Sequence, residues 1–398
     1  MNKAGSLLMS FAVLLTAASA SAQEIPVKIG VLTDFSGVYA DGAGLGSVFA
    51  AELAVADFTS QSKGLKVEVI SADHQNKGDV ASSIARRWLD DDVNVIVDIA
   101  ASTTAFAVNE LLRDANALAL FSAAASSALT GESCSPHTIH WTYDTWMLAH
   151  GTGRAVLEAG GDTWFFIAAD YTFGHTLVEE TSAVVLENGG KVLGSVAHPF
   201  PGQDFSSFIL QAQASGAKVI ALANSGQDMI NAVRQAREFG VTQGGQIIAA
   251  IMLNINDVHA LGLEASQGLL FASVFDWNLN DGTREWSARF EEKMGKKPSM
   301  MQAGVYSAVL HYLKSVEATG STDADVVVAN MKETPTDDPL FGKGMIRADG
   351  RKIHDVYLLK VKEPSASKGP WDYFEVVSTI PADIAFRPME EGGCPLVK

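Results

Sequence analysis

Basic residues, cysteines and long apolar runs are all scarce in this chain, and each scarcity removes a class of function. Lysine and arginine total 29 against 46 acidic residues, which sets a formal net charge of −17 over 398 residues. A phosphate backbone needs clustered cations, and no basic block here is longer than Lys296-Lys297, so nucleic acid is excluded as a partner. After the first residues, no stretch approaches the roughly 20 apolar residues of a membrane-spanning helix. Catalytic signatures are missing as well: neither G-x-S-x-G nor H-E-x-x-H occurs, and no enzyme activity is expected. The glycines Gly42-x-Gly44-x-Gly46 do not make a dinucleotide fingerprint, because the third glycine would fall at position 47, which is Ser47.

Only two cysteines are present, Cys134 and Cys394. Cys134-x-x-His137-x-x-His140 has a superficial metal-ligand spacing. The amino-terminal segment argues for a different use of the sulfur. Residues 1–22 carry one lysine, an apolar stretch from Leu7 to Leu15 and Ala20-Ser21-Ala22 before Gln23, the pattern of a secretory signal peptide. In an oxidising compartment the pair is expected to form one disulfide, with neither metal nor cofactor. A bridge across so long a loop is worth at most roughly 5 kcal/mol by chain entropy, and it would pin the carboxyl-terminal tail to the first half of the chain.

What the chain does have is alternation. Val93 to Ile99 is an almost unbroken β-branched run, the mark of a strand buried on both faces, as in helix-covered parallel sheets. It ends in Ala100-Ala101-Ser102-Thr103-Thr104, where a helix with Phe106, Leu111 and Leu112 should begin. A helix start leaves unpaired N–H groups and positive partial charge, so hydroxyl residues there suit a carboxylate. The strand Ala117 to Phe121 repeats the design and delivers Ser122 to Ser127 to the same edge. Four such β-α units fill the chain up to a crossing segment, Thr138 to Tyr143, and a second series begins with strand Thr163 to Ala169 and runs to Gly268–Ser273. The acidic runs Glu179-Glu180 and Asp90 to Asp92 fall on helix faces and read as solvated. The fold class is therefore α/β, with two doubly wound parallel-sheet lobes joined by a three-crossing hinge. Residues 23–142 with 275–345 form lobe 1, residues 143–274 with 346–380 form lobe 2, and 381–398 form a tail held to lobe 1 by the disulfide. Clefts between hinged lobes take small ligands.

KIGVLTDFSGVYADGAG at the start, Ser102-Thr103, SAAASSALT at 122–130, DYTFG at 170–174 and VRQAREFG at 233–240 together resemble the leucine/isoleucine/valine-binding protein family, over essentially the whole mature chain. These are type I periplasmic solute-binding components of ABC importers. The resemblance implies a periplasmic monomer that meets the permease membrane subunits and holds a ligand carboxylate in lobe 1. Carried over by motif, the contacts fall on Ser36 to Tyr39, on Ser102 with Thr103, and on Ala124, Ala125 and Ser126. From lobe 2 it implies Tyr171 or Phe173 and a residue of Asn224 to Gln227, Asn224 first. Ala125 stands where the family usually has threonine, so one hydroxyl donor is missing.

The informative departure is AIMLNIN, residues 250–256. Amino-acid binders of this family place an acid near this strand end to pair with the ligand's ammonium; here Met252 stands there, and Asp257 is the first acid. A desolvated ammonium without a partner costs several kcal/mol. An aromatic acid, a benzoate or a phenylpropanoid, is therefore the expected ligand, with Tyr39, Tyr171, Phe173, Phe275 and Trp277 as candidate stacking residues. The alternatives are a branched-chain amino acid or amide, with Asp257 or Asp276 reaching the ammonium, or a sensor that reports to a membrane receptor.

Overall fold

The computed structural model describes residues 24–62 and 64–397. The expected signal peptide, residues 1–22, lies outside the described residues. The first lobe is built from β1 (Ile25–Thr33), α1 (Gly44–Gln61), β2 (Leu65–Asp73), α2 (Gly78–Asp90), β3 (Val95–Asp98), α3 (Ser102–Leu112), β4 (Leu118–Phe121) and β5 (Thr138–His140). Its strands are all parallel, in the order β2-β1-β3-β4-β5. The central strands β3 and β4 are buried at every position, as a sheet covered on both faces requires. Helix α2 buries Ala81, Ile84, Ala85 and Trp88, one apolar stripe at helical spacing.

The chain leaves this sheet through α4 (Thr145–Leu148) and α5 (Arg154–Glu158), which are continuous through a π turn at Ala149–Gly153. The sequence suggests one uninterrupted helix there. The widened turn carries Gly151, where a β-carbon would lie 2.5 Å from the Ala272 side chain, so glycine permits the close approach of the helix to the strand beneath. The second lobe follows as β6 (Thr163–Ala169), α6 (Thr172–Glu187), β7 (Lys191–His198), α7 (Ser206–Ala214), β8 (Val219–Ala223), α8 (Gly226–Glu238) and β9 (Ile247–Ala250). Its parallel order, β7-β6-β8-β9, repeats the first four strands of lobe 1.

After α9 (Ile255–Leu261) and α10 (Leu263–Ser266), β10 (Leu270–Ser273) does not extend the parallel series. It pairs antiparallel with β14 (Val356–Val361), which pairs with β15 (Phe374–Ile380). Between them in sequence, α11 (Asp281–Met294), α12 (Met300–Thr319) and α13 (Ala324–Glu333) return to lobe 1, with α12 packed along α1. A small antiparallel sheet of β11 (Thr336–Asp338), β12 (Gly342–Ile346) and β13 (Lys352–Ile353) comes next. Because β13 pairs with β12, and Arg351 bridges to His140 at the end of β5, the third passage between lobes lies after Ile353 rather than at Gly344 to Ile346. The short return strand was hidden in the sequence by its length of two residues.

Cys134 and Cys394 are joined across 260 residues, with their Cα atoms 5.6 Å apart. The tail is held further by Arg387, which donates to the Ser127 carbonyl at 2.9 Å and whose own carbonyl accepts from Arg347 at 2.8 Å. Reduction, or Cys394→Ser, is expected to cost about 2–5 kcal/mol of stability. Melting with and without reductant, followed by limited proteolysis, checks this; an unchanged midpoint with an uncut tail would refute it.

Candidate functional site

The carboxyl ends of the two parallel sheets face each other, and the residues that follow those strand ends build the site. In lobe 1 the turn after β3 is unusual: Asp98, Ile99 and Ala101 have φ of 76°, 56° and 65°. Left-handed backbone at three non-glycine residues, one of them β-branched, is costly and marks a constrained site. It aims the start of α3 into the cleft, and no side chain caps that start. The Ser102 hydroxyl accepts the Ser126 N–H at 3.2 Å, tying the two loops together while keeping its own proton to donate. The backbone N–H groups of Ala124 and Ala125 take no acceptor among the described residues.

The loop that carries Tyr39 is organised by Asp34. Its carboxylate accepts from the N–H groups of Ser36 (3.2 Å), Gly37 (2.6 Å) and Tyr39 (2.9 Å) and from Asn76 Nδ2 (2.6 Å). Asp before a Ser-Gly turn was a legible local signal for this role. In lobe 2, Tyr171 immediately precedes α6 and Ser225 immediately precedes α8, and neither start has a side-chain cap. Ser225 Oγ is buried without any partner.

The lobes touch. The Tyr39 and Tyr171 hydroxyls are hydrogen-bonded across the cleft, and Phe200 lies 5.8 Å from the Tyr39 ring and 4.5 Å from that of Tyr171. Gln227 N–H donates to the Val38 carbonyl at 3.3 Å. Gly226 (φ 60°) permits this approach, since a β-carbon there would stand 2.4 Å from the Val38 oxygen. Burial raises the ionisation of Tyr39, Tyr143 and Tyr171 well above the ordinary phenol range, so all three present neutral hydroxyls.

Between the lobes is a narrow cavity of about 10 Å³ lined by Tyr39, Ala101, Ser102, Ala123, Ala125, Tyr143, Tyr171, Phe173, Ser225, Met252 and Met301. That is room for about one water, so the lobes are closed on each other here and a larger molecule enters only as Tyr39 and Tyr171 part. Of the residues expected from sequence, Tyr39, Ser102, Ala125, Tyr171, Phe173 and Met252 meet here. The others do not line it. Thr103 is half-buried on the following helix position, Ala124 turns its carbonyl to His140 Nε2 at 2.8 Å, and Ser126 contributes its N–H to Ser102. The Asn224 amide is engaged with His198 at 3.0 Å. Phe275 packs in the core against Trp286 and Phe341, and Trp277 donates to the Trp371 carbonyl at 2.9 Å.

Tyr143 and Met301 were not anticipated. Tyr143 closes the first crossing and donates to the Ala123 carbonyl at 2.8 Å; Met301 comes from α12, far along the chain, where no local pattern marks it.

No carboxylate lines the inner cavity. Asp228 and Asp257 instead face an adjoining outer cleft that opens past Gly42 and Pro201. Burial pushes each up to about 7. Asp257 accepts the Asn254 N–H at 2.8 Å in the capping box of α9, and Asp276, pushed up to about 6 by burial, lines neither cleft. Among the described residues no group of histidines, cysteines and carboxylates has metal-site geometry. No helix among them is long and apolar enough to cross a membrane.

Glu180 corrects a sequence expectation. It is not solvated like its neighbour Glu179 but reaches from α6 to the Ser127 hydroxyl of lobe 1, 2.5 Å away. Burial pushes its carboxyl up to about 7, against the Ser127 hydrogen bond that holds it down.

The chain matches the family profile described as periplasmic binding protein over residues 26–370. A periplasmic binding protein from Burkholderia mallei is 49% identical, over 94% of this chain and 99% of that one, with a TM-score of 0.91. A branched chain amino acid ABC transporter periplasmic ligand-binding protein from Burkholderia xenovorans is 42% identical, over 94% and 100%, with a TM-score of 0.83. The Leu/Ile/Val-binding protein homolog 6 of Brucella melitensis is 26% identical over 372 residues, 89% of this chain and 92% of the relative.

A carboxyl raised on folding makes the native chain bind the extra proton. Its contribution to stability is complete below the unfolded value near 4.5 and is lost as pH rises through about 7. Glu180→Gln keeps the neutral form, so its melting temperature is expected to gain on that of the parent as pH goes from 5 to 8. Paired melting curves across that range test it, and a difference that does not change with pH would sink it.

Proposed function

This chain belongs to the periplasmic binding protein family, and we propose that it captures a small aromatic carboxylate for an ABC importer. The observation that carries this reading is the lining of the inner cavity: aromatic rings and hydroxyls, an uncapped helix start from lobe 1, and no acid. The carboxylate goes to the start of α3, the Ser102 hydroxyl and the Ala125 amide, where partial positive charge and donors converge. The ring goes between Tyr143, Tyr171 and Phe173, displacing the direct contact of Tyr39 with Tyr171. An α-amino acid would bring an ammonium into the same cavity, and leaving it unpaired costs several kcal/mol.

Ligand contacts drawn from both lobes favour the closed form, and that form is what the permease membrane subunits would recognise. The amino-acid reading has one observation in its favour: Asp228 and Asp257 stand in the adjoining outer cleft, and the Burkholderia xenovorans relative is named for branched-chain amino acids. An ammonium displaced outward from the inner cavity would meet them.

The test is a thermal-shift screen of the mature chain, stripped of carried-over ligand by partial unfolding and dialysis. A ligand at 100 times its Kd adds about 2.7 kcal/mol, enough to raise the midpoint by a few degrees. Benzoates or cinnamates are expected to do this, and leucine and valine are not. Stabilisation by leucine or valine alone would overturn the aromatic assignment. In the same protein Ser102→Ala is expected to weaken the binding ligand about five- to tenfold, the worth of one hydrogen bond of about 1 kcal/mol, with normal folding. Titration calorimetry checks this, and an affinity within twofold would reduce Ser102 to a link between loops.

A further inference from the structure

Three residues around the start of α8 have polar side-chain atoms without a hydrogen-bond partner: Asn224 Oδ1, Ser225 Oγ and Asp228 Oδ2, all buried. The rest of that cluster is satisfied. Asp228 Oδ1 accepts the Gly202 N–H at 3.0 Å, His198 Nδ1 donates to the Pro199 carbonyl at 2.9 Å, and His198 Nε2 takes the Asn224 amide at 3.0 Å. Ser225 is the member that lines the inner cavity, which it shares with Ser102 of lobe 1. Its hydroxyl does not cap the 13-residue helix it precedes, so it has no structural use that would account for it.

A buried hydroxyl left unpaired is destabilising, and a purely hydrocarbon ring edge against it would leave it so in the complex. We propose that Ser225 is a specificity-determining residue that selects aromatic acids bearing a ring hydroxyl on the side remote from the carboxylate. This rests on the aromatic-acid reading of the cavity and narrows its substrate class. A phenolic hydroxyl fits because it both donates and accepts. It accepts the Ser225 proton where the helix start adds positive partial charge, or it donates to Ser225 Oγ if the serine proton turns elsewhere. A second carboxylate fits less well, because Asp228 sits in the first turn of the same helix and offsets that charge.

The experiment is calorimetric titration of the stripped mature chain and of Ser225→Ala with benzoate, 3-hydroxybenzoate and 4-hydroxybenzoate. The parent is expected to bind at least one hydroxylated acid ten or more times tighter than benzoate, and in Ser225→Ala that ratio falls to within about threefold. Ser225→Ala is also expected to melt within a degree or two of the parent, since the hydroxyl makes no bond; Ser225→Thr, which keeps the hydroxyl, restores part of the ratio. Equal binding of benzoate and the hydroxybenzoates by the parent, or a ratio that survives in Ser225→Ala, overturns the assignment of Ser225 alone. Response to leucine or valine with none to any aromatic acid overturns both this assignment and the reading beneath it.

Discussion

Everything at the cleft depends on the direction of parallel strands. When strands run parallel, their carboxyl ends collect at one edge of the sheet, and each must turn there into a helix whose first amides are unpaired. Two such sheets set edge to edge bring the starts of α3, α6 and α8 to one small volume, none of them capped by a side chain. The result is a concentration of donors and positive partial charge in a protein whose net charge is strongly negative. Short-range donors decide the binding here, since the overall field is screened beyond about 8 Å.

Closure is a matter of fit between loops rather than of long-range attraction. Asp34 holds the Tyr39 loop in shape from within lobe 1, so that Tyr39 meets Tyr171 and Phe200 as a formed surface. Gly226 allows backbone to approach backbone beside it. On another side of the same interface Glu180 engages Ser127. Contacts of this kind are made only when the lobes are together, and they are the ones a ligand's own contacts would supplement.

The passages between lobes are fixed by buried charge. Arg351 is fully buried, with Nε 3.6 Å from Asp144 and its guanidinium 4.2 Å from the Phe386 ring. Lys352, pushed down to about 7 by burial, lies over Trp141 at 5.1 Å and Phe341 at 4.6 Å. Buried cations are poor stabilisers but tolerate few alternative arrangements, and here they join the first and third passages to the docked tail.

Much of this was legible in the residues themselves. The β-branched run at Val93 to Ile99 and the aromatic and apolar run at Thr163 to Ala169 fall on β3 and β6, because such stretches between turn residues have few other ways to be buried. Ser102 falls on a helix start for the same local reason. The passage after Ile353, the antiparallel placement of β10, and the core position of Phe275 depend on partners far along the chain, which periodicity does not reveal. So the sequence by itself determined the two parallel sheets and which loops lie at their carboxyl edges, since burial and turn chemistry act within a few residues. Only the tertiary structure decided that Tyr143, Ser225 and Met301 share one cavity and that Glu180 faces the opposite lobe, because those contacts join segments whose meeting no local preference encodes.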